Sequence, residues 1–485
     1  MNLLHALRLD SSTVNQIISL VGAGGKTTAL FQLAKQFQVE GRRSKVFITA
    51  TTHLATWQTK FADHHIIIKD KNLSNIQKHT HSGHLASGLQ NGIILFTGEI
   101  ENERTKPIDE ITLDWLRAKS KAENVPLLIE ADGSRQKPLK SPAEHEPPIP
   151  TFSELVIHIT GLSAIGKPLN NEHVHRPEIF SQLSNLTINQ IITPESIINA
   201  LTHPQGGLKN IPATAKRIAL LNQADTPELQ SVGGELAKKL LNHFDSILVG
   251  SLQAEFFQVF EKTAGIILAA GDSTRFGSPK QLLDWHGKPF IRHIAETALH
   301  ADLQPVLVIS GSHHADIESC LRDLPVQVIH NPNYKNGQSE SIKLGIKSLP
   351  TPSRPPPNPL SEFVEFSIRS VADLGEVPKA EGVGSCIFLL ADQPQIPVEV
   401  ILALKERHRQ TLSPIIAPLV LEEKRANPVL FDKVTFPDLL QLTGDVGGRA
   451  IFDKHKVDYL PWHDDILIFD VDTPEDYERL KGFES

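Results

Sequence analysis

The sequence predicts two consecutive α/β domains, each with a doubly wound, largely parallel sheet. In both halves, short apolar runs alternate with segments whose apolar residues recur at helical spacing. Two of these runs end in glycine-containing loops, at Gly22 and at Gly271. Because a chain of 485 residues is too long for one ordinary core, we expect one domain over 1–260 and a second over 261–485.

Composition and charge restrict the functions open to the chain. The net charge of −8 argues against a nonspecific nucleic-acid binder, although it allows a local basic pocket. The two cysteines, Cys320 and Cys386, form no C-x-x-C pair, which excludes a zinc ribbon and a disulfide framework. No apolar run approaches the ~20 residues that span a bilayer, and the charged N-terminus does not fit a signal peptide. We therefore expect a cytoplasmic enzyme without nucleic-acid or membrane partners.

The first glycine-rich loop has the layout of a P-loop. An apolar strand over 15–21 runs into the sequence GAGGKTT at Gly22–Thr28, and helical spacing begins near Lys26. Leu20 stands where the full Walker pattern has a glycine, so the loop is a shortened form, similar to that of the Mur ligases, which bind ATP. The pattern predicts a P-loop-like domain that binds ATP or GTP; a glycine-rich turn that binds nothing is the alternative. The predicted nucleotide-binding residues are Gly22, Gly24, Gly25, Lys26, Thr27 and Thr28.

Carboxylates follow a later strand of this half. The strand over 126–130 ends in Glu130, and Asp132 follows two positions on. This order is typical of a Walker B segment, in which Glu130 or Asp132 lies near a metal ion or its water. Lys26 would reach the β- and γ-phosphates and Thr27 would bind Mg²⁺. Of the two carboxylates, we assign the metal to Asp132.

A further polar segment follows the strand over 217–221. It reads Asn222-Gln223-Ala224-Asp225, which is close to the N-K-x-D signature with which many GTPases bind guanine. In that interpretation Asp225 would accept hydrogen bonds from the base. Gln223 replaces the lysine of the signature, so an ordinary loop is the alternative. The last strand of this half is predicted over 246–252.

The second half begins with the sequence GIILAAGDSTRFGSPKQ, at Gly265–Gln281. Its first six residues predict a buried strand, and Gly271 ends the apolar run. Arg275 and Lys280 then place two cations close to glycines, which favours a polyphosphate site at the carboxyl end of a parallel strand. The alternative is an ordinary β–α turn with two solvated cations.

A hydroxyl-rich helix start lies further along this half. Gln338 and Ser339 begin a predicted helix, where they would bind a phosphate or a base edge. N-capping by Ser339 is the alternative. The prolines over 350–384 then predict an irregular insertion.

Carboxylates follow two later strands of the second half. Asp392 comes after the apolar strand over 385–390 and suits Mg²⁺, with a helix N-cap as the alternative. Asp472, or Asp470 in its place, is the second candidate ligand. A strand is predicted over 466–470, and a helix start follows it.

The pattern LAAG-x-x-x-RFG-x-PKQ resembles the MobA-like nucleotidyltransferases, and among them most closely the molybdenum cofactor cytidylyltransferases. The resemblance implies a Rossmann-like nucleotidyltransferase domain that transfers CMP from CTP to Mo-molybdopterin with Mg²⁺. It implies that Arg275, Lys280 and Asp392 are catalytic and that Asp392 and Asp472 bind the metal. The residues that it assigns to the nucleotide are Leu268, Ala269, Ala270, Gly271, Gln338 and Ser339. The guanylyl branch tends to carry glycine where this chain has Ala270, which favours CTP over GTP.

The first half resembles a family of accessory proteins of selenium-dependent molybdenum hydroxylases, the YqeC-like proteins. The segments that carry the resemblance are GAGGKTT, IEADGSR with KPLKSPAEHEP, and NQAD. The resemblance implies a role in maturation of a molybdenum hydroxylase, which would be a client protein. Two other interpretations stay open: a nucleotidyltransferase for another phosphorylated metabolite, and a chaperone in which nucleotide binding gates cofactor insertion.

Overall fold

The computed structural model describes residues 1–9, 16–39, 45–69, 91–271, 276, 278–350, 382–421 and 424–482. These residues form two compact units, unit 1 up to residue 260 and unit 2 from residue 261 onward. Both units are α/β with largely parallel sheets, which confirms the predicted fold class. Arg275 and almost all of the predicted insertion lie outside the described residues. Within the described ranges, no helix is long and apolar enough to cross a membrane.

The elements of unit 1 alternate between strands and helices. The strands are β1 (Ile17–Gly22), β2 (Lys45–Ala50), β3 (His64–Ile67), β4 (Gly92–Thr97), β5 (Ile100–Glu101), β6 (Arg104–Thr105), β7 (Leu127–Glu130), β8 (Leu139–Lys140), β9 (Leu155–Gly161), β10 (Val174–His175), β11 (Lys216–Asn222), β12 (Ser246–Ser251) and β13 (Phe256–Phe260). The α-helices are α1 (Leu3–Ala6), α2 (Lys26–Val39), α3 (Glu110–Glu123), α4 (Pro177–Ser184), α5 (Pro194–Thr202) and α6 (Pro227–Leu240).

The main sheet of unit 1 has the strand order β13-β12-β11-β9-β1-β7-β2-β4-β3. Neighbouring strands are parallel except for the pair β12 and β13. From β1 the chain passes to β2 on one side of the sheet, and only later enters β9 on the other side. The carboxyl end of β1 is therefore a topological switch point, where open α/β sheets bind their ligands.

Strand β13 departs from the sequence prediction, which ends this half at a strand over 246–252. It runs antiparallel to β12 as the edge of the sheet. Its five residues are flanked by Glu255 and Glu261, so the segment lacks the uninterrupted apolar length of the central strands. Gln258 interrupts its apolar residues, so the apolar run is shorter than those of the central strands.

The elements of unit 2 follow the same alternation. The strands are β14 (Thr263–Ala269), β15 (Asp284–Trp285), β16 (Lys288–Pro289), β17 (Val306–Ser310), β18 (Gln327–His330), β19 (Ser385–Leu390), β20 (Ile415–Val420), β21 (Lys424–Arg425), β22 (Val429–Asp432) and β23 (Val457–Trp462). The α-helices are α7 (Phe290–His300), α8 (His314–Leu321), α9 (Gln338–Lys347), α10 (Val398–Thr411), α11 (Phe436–Leu439) and α12 (Pro474–Lys481).

The main sheet of unit 2 has the order β18-β17-β14-β19-β22-β20-β21, and β23 pairs with β20. Strand β14 is parallel to both of its neighbours, β17 and β19. Its side chains alternate between two cores, with Ile267 and Ala269 in one and Ala264 and Ile266 in the other. The chain leaves β14 for β17 and returns on the other side at β19, so the end of β14 is a second switch point.

The strand predicted over 466–470 is wrong. A 3₁₀ helix spans Asp465–Ile468, and Leu467 alone of its residues is completely buried. Gln395 donates a hydrogen bond to the Phe469 carbonyl oxygen at 2.6 Å, so a side chain supplies the contact that a strand partner would make. The predicted helix start is confirmed, because Thr473 caps α12 and Asp476 completes the capping box.

A buried hydrogen-bonded pair connects α10 to the sheet of unit 2. His408 Nε2 lies 2.7 Å from Asp432 Oδ2, and both side chains are almost completely buried. Asp432 also accepts a hydrogen bond from the Val434 amide at 2.9 Å. Strand β22, which ends in Asp432, pairs with β19, the strand that leads to Asp392.

We expect Asp432→Ala to lower the free energy of unfolding of unit 2 by about 3 kcal/mol, because His408 would lose its buried partner. Urea unfolding, read by hydrogen exchange of peptides from β19 and β22, measures the loss. The control is Asp453→Ala, which removes an exposed carboxylate and should change the free energy by less than about 0.5 kcal/mol. Equal effects of the two substitutions would contradict a stabilising role for the pair.

Candidate functional site

The loop after β1 needs glycine at three positions. Gly22, Gly24 and Gly25 have φ angles of 92°, 78° and 130°, which side chains rarely adopt. A Cβ atom at Gly22 would lie 2.2 Å from the Ile159 carbonyl oxygen, and one at Gly24 would lie 2.6 Å from the Gly161 nitrogen. The loop is therefore pressed against β9 and turns directly into α2.

Lys26, the first residue of α2, is buried at the base of this loop. Its Nζ donates a hydrogen bond to the Gly22 carbonyl oxygen at 2.7 Å and lies 3.1 Å from Asp132 Oδ1. The other carboxylate oxygen of Asp132 lies 3.1 Å from Lys140 Nζ and accepts a bond from the Gly22 amide, also at 3.1 Å. Asp132 is thus neutralised by two lysines.

Thr27 is paired with Glu130. Its Oγ1 donates to Glu130 Oε2 at 3.0 Å and accepts a hydrogen bond from Gln58 Nε2 at 2.7 Å. Burial raises the pKa of the Glu130 carboxyl, although Lys26 and the bond from Thr27 act against that shift. The contacts place Glu130, rather than Asp132, beside Thr27. The metal-binding role of Asp132 stays a prediction.

The ion pairs continue from Lys140 to Arg176. Lys140 Nζ lies 2.8 Å from Glu146 Oε2, and Arg176 binds both oxygens of Glu146, at 2.6 and 3.0 Å. Burial alone would raise the pKa of Glu146, but hydrogen bonds from Arg176 and Lys140 hold it at about 2. The sequence alone does not predict a role for Lys140, because a lysine in a short segment without helix or strand periodicity is expected to be exposed to solvent.

Lys26, Thr27, Glu130, Glu146 and Arg176 line one open cleft of about 650 Å³ at the carboxyl ends of the strands, whereas Asp132 and Lys140 are not part of its lining. Five cationic side chains line it, Lys26, Arg104, Arg135, Lys137 and Arg176, against the carboxylates of Glu130 and Glu146. The excess of positive charge beside a glycine loop and a helix N-terminus suits a polyanion. Gly24, Gly25, Thr27 and Thr28 lie in the same lining, whereas Gly22 is buried behind it.

In unit 2, Lys280, Asp392 and Asp472 come together beyond the end of β14. Lys280 Nζ lies 2.7 Å from Asp472 Oδ1 and 3.8 Å from Asp392 Oδ2. Burial raises the pKa of Asp392, and the charges of Asp470 and Asp472 add to the rise while Lys280 opposes it. The two carboxylates predicted to bind a metal therefore converge on one cation, the ammonium group of Lys280.

Three glutamines hold the loops of this site in place, and the sequence alone predicts no role for them. Gln281 Nε2 donates to the Gly271 carbonyl oxygen at 2.8 Å and fixes the end of β14. Gln393 Nε2 donates to Asp470 Oδ1 at 2.5 Å, and Gln395 donates to the backbone of the same segment. Gln393 and Gln395 therefore tie the segment that carries Asp472 to the end of β19. An isolated glutamine in a loop belongs to no periodic pattern, so the sequence alone does not predict these roles.

The end of β14 and the residue after it are closely packed. Ala269 and Ala270 are buried, Leu268 is partly buried and Gly271 is exposed. A Cβ atom at Gly311 would lie 2.4 Å from the Ala270 carbonyl oxygen, so the loop after β17 touches this backbone directly. The nucleotide-binding role of these residues stays a prediction.

The start of α9 packs against the loop over 444–448. The N-cap is Gly337, so the suggested N-capping by Ser339 is wrong. The backbone amide of Gln338 donates a hydrogen bond to Asp445 Oδ1 at 3.1 Å. Ser339 is completely buried, and its amide donates to the Gly444 carbonyl oxygen at 3.4 Å. Gln338 is thus the more accessible of the two predicted nucleotide ligands.

A further cation, the exposed Arg449, follows this loop. Arg449 Nη2 donates to Asn427 Oδ1 and to the Arg425 carbonyl oxygen, both at 3.3 Å. Partial desolvation lowers the pKa of Arg449, and the negative charge of Asp470 opposes that shift. Arg449 therefore lies near the carboxylate cluster and adds a positive charge on the side of the 444–448 loop.

Two carboxylates of unit 2, those of Asp392 and Asp472, are suited to binding Mg²⁺ together. Among the described residues, no group of three or more His, Cys, Asp or Glu side chains is placed to hold a metal ion. Mg²⁺ is usually bound by one or two carboxylates together with substrate phosphates and water. Asp392 and Asp472 meet that requirement, because their oxygens already converge on the Lys280 ammonium group.

Comparisons with known proteins match both units. Residues 18–178 match the family described as YqeC protein, and residues 265–459 match the MobA-like NTP transferase domain. The uncharacterized protein YqeC of Escherichia coli (strain K12) is 35% identical over 243 residues, which cover 49% of this chain and 88% of that protein. A "probable molybdenum cofactor guanylyltransferase" of Bacillus cereus (strain AH187) is 44% identical over 89 residues, which are 18% of this chain and 44% of that protein.

Solved structures also align with part of the chain. Rv0371c from Mycobacterium tuberculosis H37Rv is 20% identical, with a TM-score of 0.36, and the alignment covers 46% of this chain and 98% of that one. Molybdopterin-guanine dinucleotide biosynthesis protein A from Archaeoglobus fulgidus is 16% identical, with a TM-score of 0.32, and the alignment covers 45% and 97%. On the sequence matches, the chain belongs to the YqeC family through its first half and carries a MobA-like nucleotidyltransferase domain in its second.

Proposed function

We propose that unit 2 transfers CMP from CTP to the terminal phosphate of Mo-molybdopterin, giving molybdopterin cytosine dinucleotide and pyrophosphate. The observation that carries the proposal is the convergence of Lys280, Asp392 and Asp472 at the switch point beyond β14. The MobA-like domain match supports the reaction class. The relatives described as molybdenum cofactor guanylyltransferases support the acceptor.

The chemistry requires charge neutralisation more than proton transfer. A phosphate oxygen of the acceptor attacks the α-phosphorus of the nucleotide, a new P–O bond forms, and the bond to the β-phosphate breaks with loss of pyrophosphate. Because the attacking phosphate is already an anion, no strong general base is needed. Lys280, which is held by carboxylates in a nearly buried position, can exchange Asp472 for a phosphate oxygen. Arg275 is the second predicted cation of this site.

Asp392 and Asp472 are the residues that would hold Mg²⁺, which neutralises phosphate charge in such reactions. The pKa of Asp392 is raised by partial desolvation and by the nearby charges of Asp470 and Asp472, so the site favours a positive partner. Lys280 provides that charge in the present arrangement. Arg449 extends the positive potential toward the 444–448 loop, where we place the acceptor.

The choice of base has two candidates. Ala270 is buried, carries a methyl group, and has Gly311 packed directly against its backbone. This close packing favours the smaller pyrimidine base of CTP. The guanylyltransferase relatives favour GTP as the second candidate.

We also propose that the cleft of unit 1 binds ATP or GTP, with the phosphates at Lys26 and Thr27. The five cations of the cleft and the glycine loop support this role. Thr27 and Glu130 would hold Mg²⁺, since their oxygens already lie 3.0 Å apart. Such a unit would couple nucleotide binding to maturation of a molybdenum hydroxylase client.

Replacement of Lys280 or of Asp392 should strongly slow nucleotidyl transfer by unit 2. We expect Lys280→Ala and Asp392→Asn each to lower kcat/KM about 10²–10³-fold, because Lys280 would neutralise phosphate charge in the transition state and Asp392 would hold the Mg²⁺ that does so. The measurement is pyrophosphate release from CTP, GTP, ATP and UTP, with and without Mo-molybdopterin. Asp453→Asn, an exposed aspartate of the same unit, is the matched control and should keep the wild-type rate.

The nucleotide series separates the possible outcomes. Acceptor-dependent release with CTP alone supports the proposal, and release with GTP instead would keep the reaction and overturn the base. Release that is independent of Mo-molybdopterin would overturn the acceptor. Full activity of Asp392→Asn would show that the carboxylate cluster is not the metal site.

The unit 1 proposal is tested by nucleotide binding to the full chain. We expect Lys26→Ala to weaken binding of ATP or GTP about 10- to 100-fold, because a buried charge-assisted hydrogen bond to phosphate is lost. Lys35→Ala, an exposed lysine on the same helix α2, is the control and should bind as the wild type does. If Lys26→Ala left the binding of both ATP and GTP unchanged, the proposal that unit 1 binds a nucleotide would be rejected.

A further inference from the structure

One side chain connects three loops at the carboxyl edge of the unit 1 sheet. Asn222, which ends β11, is buried; its Nδ2 donates to the Gly24 carbonyl oxygen at 2.6 Å. Its Oδ1 accepts the Leu252 amide, beyond β12, at 2.9 Å. A Cβ atom at Gly25 would lie 2.6 Å from Asn222 Nδ2. The phosphate-side loop after β1 and the loops after β11 and β12 are therefore held together as one surface.

The residues that follow Asn222 lead from this junction to solvent. Gln223 lines the same cleft as the glycine loop, and its Oε1 accepts the Ser163 hydroxyl at 2.6 Å. The Ala224 amide then donates to the Gly250 carbonyl oxygen at 3.0 Å, which fixes the turn against β12. The conformation of the whole segment is thus set by contacts on both sides.

Asp225 is exposed and makes no hydrogen bond or ion pair with the other residues that the structure describes. Capping does not require it, because Thr226 is the N-cap of α6 and accepts the Leu229 amide at 3.3 Å. The contacts of Asn222 and Ala224 hold the backbone that leads to Asp225, and its carboxylate oxygens stay available in solvent.

We propose that the unit 1 cleft binds a guanine nucleotide, with its phosphates at the Gly22–Lys26 loop and its base on the carboxylate of Asp225. The inference rests on the nucleotide binding proposed for unit 1. Strand β11 lies two strands from β1, roughly 10 Å at the usual strand spacing. That separation is within the length of an extended nucleotide.

The chemistry of the base edge distinguishes guanine from adenine. Guanine presents N1–H and its 2-amino group as adjacent donors, and the two oxygens of a carboxylate accept both. Adenine has an acceptor at N1 and no donor at C2, so the same carboxylate would be left unpaired and repelled. A site of this kind discriminates against adenine, because the carboxylate would lose both of its hydrogen bonds to the base.

The test measures binding of GDP, ADP and xanthosine diphosphate to the full chain by calorimetry. Binding that Lys26→Ala removes is assigned to unit 1, which separates it from any nucleotide bound by unit 2. We expect Lys26-dependent binding of GDP to be at least about 100-fold tighter than that of ADP. In Asp225→Asn, we expect the preference to move from GDP to xanthosine diphosphate, because the asparagine amide donates to the 2-oxo group of xanthine.

The control and the contrary outcomes are specific. Asp114→Asn, an exposed aspartate on α3, should leave the preference for GDP unchanged. Equal Lys26-dependent binding of GDP and ADP would overturn the choice of base while nucleotide binding by unit 1 stands. A preference for GDP that survives Asp225→Asn would overturn the assignment to Asp225. No Lys26-dependent binding of any nucleotide would overturn both the inference and the proposed role of unit 1.

Discussion

A lysine held against carboxylates at the end of a central parallel strand is the interaction on which both units depend. In unit 1, Lys26 lies between the glycine loop after β1 and Asp132. In unit 2, Lys280 lies between Asp472 and Asp392 beyond β14. The switch point of a doubly wound sheet leaves room there for a ligand. A buried ammonium group without a counter-ion would be costly, so the carboxylates compensate each positive charge and hold it in place.

The two sites differ in how their charges are arranged. The lining of the unit 1 cleft carries more cations than carboxylates, and Glu146 is paired with Lys140 and Arg176. In unit 2, the carboxylates of Asp392 and Asp472 contact one lysine, and the charge of Asp470 adds to the rise in the pKa of Asp392. The first arrangement attracts an anion directly, whereas the second would need an added cation before it could accept one.

The sequence predicts the strands and the ends that carry chemistry, because buried parallel strands are continuous apolar runs and polar residues stand out after them. Helix α2 begins at Lys26 and strand β19 spans Ser385–Leu390, as the spacing indicates. What the sequence does not predict depends on tertiary contacts. Gln393 and Gln395 acquire their roles only when the chain near 470 returns to β19, and the same contacts turn a predicted strand into a 3₁₀ helix.

The ion pairs of unit 1 form a chain of alternating sign, from Lys26 through Asp132, Lys140 and Glu146 to Arg176. Its first member begins helix α2 and its last is the N-cap of helix α4, and both side chains line the same cleft. Because the interior members each have a counter-ion on either side, removal of any one of them would leave its neighbours with an uncompensated charge. The series therefore ties the starts of two helices together through charge.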